Sequence, residues 1–235
     1  MMIVAHQTEP QPFYRFPEST KVNRTLPKNK IYEQVKANSA TRELFINQVE
    51  QISWAYKLSP QTLNIEANEQ FSEVQVFKVK LKDENVAEEV LQTIDKAIPH
   101  PIIFEVITVS NKVKTTACFK SIGVNGGVTL SEYYSSDWKL NAAQLEEGGR
   151  VDLPLSLNTK TLYEQLLASL LPYQLRDNET FQALIKRIDN IKLLEHKQQK
   201  INKQLSNEKQ FKNKVKINTE LKDIKNKLKQ LKHTA

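Results

Sequence analysis

Ile102-Ile103-Phe104-Glu105-Val106-Ile107-Thr108-Val109 decides the fold class. A run this apolar, broken by one charge, is no half-exposed strand and belongs in the middle of a sheet. Ser110-Asn111-Lys112 has turn chemistry and leads into Val113 to Ile122, which predicts an antiparallel hairpin. Upstream, Val74 to Leu81 reads as another strand. Val74, Val76 and Lys78 oppose Phe77, Val79 and Leu81 only after a shift at Phe77, so a bulge or burial on both faces is expected. Between the two strands Asp83 or Asn85 can cap a short helix with Val86, Val90, Leu91, Ile94 and Ile98 on one stripe, stopped before Pro99 and Pro101.

Working outward, Gly123 to Gly127 reads as the next turn, and Thr129 to Trp138 as a further strand region carrying Tyr133, Tyr134 and Trp138. Ahead of the sheet, Pro27 suits a helix start. Ile31, Val35, Leu44, Phe45, Val49, Ile52 and Trp54 then recur at mostly helical spacing. They predict helices over 28–38 and 41–54, the second capped by Thr41 and closed before Ser59-Pro60. The order is not a repeated βαβ pattern. It predicts an α+β fold, a mostly antiparallel sheet with helices on one face, followed by a C-terminal helical coiled-coil hairpin.

Residues 1–20, with Pro10, Pro12 and Pro17, read as an extended arm in which Phe13, Tyr14 and Phe16 can pin the chain to a surface. The α+β domain is expected over 21–150. A connecting segment over 151–175 carries the docked helix Leu162 to Leu171, capped at Asn158 or Thr159 and stopped by Pro172. A basic helical coiled coil fills 176–235.

This tail holds the whole charge excess. From Arg176 onward there are 16 lysines and arginines against 7 aspartates and glutamates, +9 of a net +7, which leaves −2 for the rest. Glycine and proline are absent after Thr180, and Ile217, Leu221, Ile224, Leu228 and Leu231 repeat at heptad spacing. So narrow a seam must be buried against another helix. Ser206-Asn207 offers the only turn chemistry, favouring two antiparallel helices over one rod; pairing with a second copy or a partner helix would also satisfy the seam. Lys209, Lys212, Lys214, Lys216, Lys222, Lys225 and Lys229, with Lys227 and Lys232, could neutralise phosphates with salt-sensitive, sequence-independent affinity, or could simply be a solvated face. Few aromatics accompany them, which speaks against a single-strand stacking platform.

Catalytic signatures are sparse. His6, His100, His196 and His233 have no zinc-site spacing, so no metal is expected, and Gly126-Gly127 lacks a phosphate-loop pattern, so no cofactor is expected. The single cysteine, Cys118, lies in an alternating run and reads as a buried strand residue in a reducing compartment. Trp54, Tyr56 and Lys57, or Tyr133, Tyr134 and Trp138, could form an aromatic-basic surface, although packing is the commoner reason for such groups. Glu73, Asp95 and Glu105 flank the strand signals as a divergent metal-dependent nuclease would need, yet no acidic residue stands two positions before Lys78 or Lys80. With neither a long apolar run nor a basic leader at Met1 to Pro17, the expectation is a cytoplasmic chain without a membrane partner.

Leu26-Pro27-Lys28, Ile52-Ser53-Trp54-Ala55-Tyr56-Lys57-Leu58-Ser59-Pro60 with Thr62 and Asn64, the strand Glu73 to Leu81, Ile94-Asp95-Lys96-Ala97-Ile98-Pro99 leading to Ile103-Phe104-Glu105, and Glu208-Lys209-Gln210-Phe211 through Asn218 and Leu221 together resemble a bacterial family of unknown function. The resemblance implies members of similar length, often encoded beside helicases and DNA methyltransferases in restriction-type defence loci. It implies no catalytic residue. The expectation is a non-catalytic accessory or adaptor subunit of such an antiviral system. Its partner would be a helicase or ATPase, or a second copy bound through the C-terminal helices, with DNA as a further ligand. The alternatives are the divergent nuclease and a plain sequence-independent DNA-binding protein.

Overall fold

The computed structural model describes residues 11–123, 127–139, 145 and 148–233. The chain forms two compact units, Met1–Leu171 and Pro172–Ala235.

The first unit is built on a six-stranded sheet in the order β2 (Lys21–Leu26), β3 (Val49–Leu58), β4 (Val74–Leu81), β5 (Ile102–Ile107), β6 (Val113–Ile122) and β7 (Val128–Ser135). Only the β4–β5 pair is parallel. A parallel pair needs a crossover, and α4 (Glu88–Ala97) supplies it. Helices α1 (Lys28–Gln34) and α2 (Ser39–Gln48) join β2 to β3, and α3 (Pro60–Leu63) follows β3. Two further short strands, β1 (Tyr14–Arg15) and β8 (Val151–Asp152), pair in parallel.

Side-chain alternation sorts this sheet into two faces. Phe77, Val79 and Leu81 of β4 and Ile102, Phe104 and Val106 of β5 pack with Ile31, Phe45, Val90, Leu91 and Ile94, so α1, α2 and α4 cover one face. On the other, Phe119 stacks on Tyr163 of α5 (Thr159–Ala168), which also meets Phe71. Phe13 of the N-terminal arm is buried with Val113 and Leu145. Burial on both faces explains why β4 and β5 read as nearly continuous apolar runs.

One local expectation is corrected. The helical spacing read through Trp54 ends at Gln48, and 49–58 is a strand. Ile52, Trp54, Tyr56 and Leu58 stand two apart, which suits a strand, but Val49 and Ile52 are three apart and prolong the helical pattern of α2. The register shifts fall in the β3–β4 pairing at Val49/Gln51 and Trp54/Tyr56, where Tyr56 pairs with Val76. Strand β2 carries no sequence signal, because Lys21, Asn23, Arg24 and Thr25 are exposed, Asn23 has a positive φ of 51° and the edge strand lacks apolar alternation.

Caps moved as well. Asn38, not Thr41, caps α2, its Oδ1 accepting from Thr41 N at 2.8 Å. Ala87 precedes α4 without a side-chain cap, and its N–H donates to Gln48 Oε1 at 2.7 Å. Asn158, one of the two expected candidates, does cap α5, accepting from Thr161 N at 3.0 Å. The turn expected over 123–127 shows Gly123 N donating to Gly127 O at 2.8 Å; residues 124–126 lie outside the described residues, as does Pro10 of the arm.

The second unit is a helical hairpin of α6 (Phe181–Asn207) and α7 (Phe211–Lys232). Ile191 and Ile201 of α6 are buried with Leu221, Ile224 and Leu228 of α7, and Ile217 and Leu231 pack at the ends of the same cluster. Ser206 and Asn207 still belong to α6, and the turn is made by the three residues that follow them, 208–210. Glu208 Oε1 accepts from the N–H groups of Lys209 and Gln210, each at 2.8 Å, and its Oε2 accepts from Asn213 at 3.2 Å. One carboxylate thus organises the reversal.

Candidate nucleic-acid interface

The three carboxylates considered for a nuclease go to different places. Asp95 lies on α4, fully buried on the helix-covered side. Glu105 follows Phe104 in β5 and therefore faces the opposite side, where Arg150 engages both its oxygens at 2.5 and 3.2 Å and also donates to Tyr14 O. Lys78 Nζ approaches Glu105 at 3.8 Å. Glu73 is held by Lys57 at 3.0 Å, by Gln75 at 2.5 Å and beside His100 at 3.6 Å. No group of three or more His, Cys, Asp or Glu stands where it could hold a metal ion among the described residues.

Asp95 belongs instead to a buried lock. Lys120 Nζ, wholly inaccessible, donates to the carbonyls of Asp95, Ile98 and His100 at 2.7, 2.9 and 2.7 Å. Three contacts use all its protons, so Asp95 Oδ1, 3.0 Å away, is held by charge rather than by a hydrogen bond. Oδ2 accepts from Tyr133 at 2.5 Å and lies 3.6 Å from Cys118 Sγ. Tyr163 completes the arrangement, donating to Cys118 O and accepting from Lys120 N. Burial pushes the Asp95 carboxyl up, and Lys120 is the strongest influence pulling it back. The lock ties the end of α4 to β6 and β7.

Burial, with the Asp95 charge beside it, pushes the Cys118 thiol far above its ordinary range. A thiolate is the reactive species, so the folded chain should resist a thiol reagent and label fully only on unfolding. Thiol titration in buffer and in denaturant checks this. Rapid labelling of the native chain would contradict the placement.

The aromatic groups are mostly absorbed by packing. Trp54 packs on the main core and donates from Nε1 to Tyr56 O, Tyr56 packs at a tilt against Phe16 with ring centroids 4.8 Å apart, and Tyr133 serves the lock. Trp138 carries Lys114 over its ring at 4.7 Å.

The hairpin is different, because its seam is closed within the chain and its cations are left outside. Of the eight lysines of α7, Lys232 pairs with Glu195 at 2.5 Å; Lys212, Lys216, Lys222, Lys225, Lys227 and Lys229 are exposed, as is Lys209 in the turn. None of these seven makes an ion pair among the described residues. Lys214 is half-buried near Glu208, and Glu220, one of the two acids of α7, is taken by Lys197 at 2.8 Å. Lys222, Lys225 and Lys229, spaced three and four apart, share one helix face along about 10 Å at 1.5 Å per residue.

Two arginines lock the open end of the hairpin. Arg176 donates to the carbonyls of Gln230, Leu231 and His233 at 2.8, 2.7 and 2.6 Å, and Arg187 to Leu231 O at 3.2 Å, so positive charge caps the last turn of α7. Arg187 also grips Glu179 through two bonds of 2.7 Å. Sequence reading did not single out Lys120, Arg150, Arg176 or Arg187, whose partners lie far along the chain.

That grip holds the Glu179 carboxyl below its ordinary 4.5, with burial acting the other way. The unfolded chain then binds this proton more tightly. Stability from the pair is complete above pH 4.5 and is lost as pH falls through the lower folded value. Thermal melting followed by helical circular dichroism should show this loss, and Glu179→Gln should remove that part of the pH dependence.

These features define an α+β protein with an appended basic helical hairpin whose seam is internally satisfied. The chain matches the family described as Domain of unknown function (DUF4391) over residues 15–228, and it belongs to that family. No curated protein and no solved structure matches it. Among the described residues no helix is long and apolar enough to cross a membrane.

Proposed function

We propose that this protein is a non-catalytic accessory subunit that contacts the DNA backbone, independently of sequence, through the lysines of α7. One observation carries the reading. The apolar seam of α7 is buried against α6, so the helix has no outstanding need for a partner helix, while Lys222, Lys225 and Lys229 stay exposed in a row without acidic neighbours in ion-pair contact. Cations kept in water cost nothing to fold and are available to displace counterions from phosphates.

The setting we propose is an antiviral system of the helicase-methyltransferase type in which the α+β unit docks a helicase or ATPase; it rests on the resemblance of the turn and strand residues, which implies members often encoded in such loci. A chain that binds DNA yet fails to co-purify with a neighbouring ATPase would keep the first half of the proposal and lose the second. The test of the first half is equilibrium binding of the full chain to two duplexes of unrelated sequence across a salt gradient. Equal affinities that fall steeply with salt are expected. No binding at low salt, or a strong preference for one sequence, would overturn it.

A further inference from the structure

Phe211, the first residue of α7, is 82 % exposed, and Val215, one turn on, is 49 % exposed. The hairpin does not need them there, since its buried seam on this helix begins at Ile217. From Phe211 the spacings to Val215, Lys222, Lys225 and Lys229 are 4, 7, 3 and 4, which places all five on one face of the helix. Exposed Lys212 and Lys216 flank the two apolar side chains on one side of the helix, and exposed Lys209 stands in the turn just before it. The face is therefore apolar at its tip and cationic along its length.

We propose that Phe211 stacks on an unpaired or terminal base where a DNA duplex ends or opens into single strands, while the lysine row follows the adjoining duplex. This deepens the DNA-contacting reading of α7 and rests on it. The flanking lysines make the tip complementary to an anionic ligand rather than to a plain apolar pocket. The ligand must combine a regular line of negative charge with a flat, uncharged face. Within a continuous duplex every base face is covered by its neighbours and only edges are presented, so a stacking partner is available only at an end, a junction or an unpaired base. One aromatic cannot form a long single-strand platform, but it can cap one base, and stacking of that kind changes affinity by about 5- to 150-fold.

The experiment uses the full chain, Phe211→Ala, Phe211→Tyr and the triple variant Lys222→Gln/Lys225→Gln/Lys229→Gln. Three probes are compared: a closed circular duplex, a duplex with a single-stranded overhang carrying 2-aminopurine at the junction, and phosphatidylserine vesicles. Phe211→Ala should weaken junction binding by about 5- to 150-fold and leave the circular duplex unchanged. Quenching of 2-aminopurine should accompany binding of the parent chain and of Phe211→Tyr and be lost in Phe211→Ala. Equal effects of Phe211→Ala on both DNA probes, absence of quenching, or a loss confined to the vesicles would each overturn the proposal. The triple variant reports separately on the lysine row: if it binds both DNA probes as the parent does, the underlying DNA-backbone reading fails as well.

Discussion

Replacing Lys120 by methionine lowers the stability of the α+β unit by about 3–5 kcal/mol, because it leaves the Asp95 carboxylate buried without its countercharge. In a unit of this size the loss corresponds to a fall of roughly 6–20 °C in melting temperature. Methionine fills much of the lysine volume, so the effect reports charge more than cavity. Three carbonyls, those of Asp95, Ile98 and His100, lose a donor at the same time. A double variant, Asp95→Leu with Lys120→Met, removes both charges and should recover most of the loss but not all of it, since those carbonyls remain unpaired. Denaturant unfolding of the parent, the single and the double variant checks both statements. A single variant as stable as the parent would mean that the pair is not buried in solution.

The second large effect concerns binding. Exchanging Lys222, Lys225 and Lys229 together for glutamine keeps good helix formers and leaves the seam untouched, so the hairpin should fold as before. With three phosphate contacts gone, the plot of log affinity against log salt should be shallower by about 2.7, which at about 0.1 M salt amounts to roughly 100-fold or more in affinity. The matched control changes exposed Lys30, Lys36 and Lys96 of the α+β unit and should leave affinity nearly constant. Similar losses in both triple variants would show only that total charge matters.

Features that depend on one stretch of chain were open to reading from sequence, and features that join distant stretches were not. Strand β5 announces itself because both its faces are buried, and the hairpin because Ile217 to Leu231 keeps a strict heptad spacing. Strand β3 was misread because Val49 and Ile52 continue the spacing of α2, and only pairing with β4 makes 49–58 extended. Lys120 stands near the end of strand β6, where a lysine normally points to solvent. What holds it inside is a set of carbonyls 20 to 25 positions earlier. A greater separation hides Arg187, whose contact with Leu231 spans 44 residues. As for the candidate interface, its lysines were visible at once, but their availability was not: it depends on α6 occupying the seam beneath them.

Lysine footprinting tests the central claim most directly. The full chain is exposed to an acetylating reagent with and without saturating duplex DNA at low salt, and each lysine is quantified by mass spectrometry. Protection of Lys222, Lys225 and Lys229, with Lys30, Lys36 and Lys96 reacting equally in both states, is the expected result. Unchanged reactivity of the α7 row while DNA is bound would place the contact elsewhere and contradict the account.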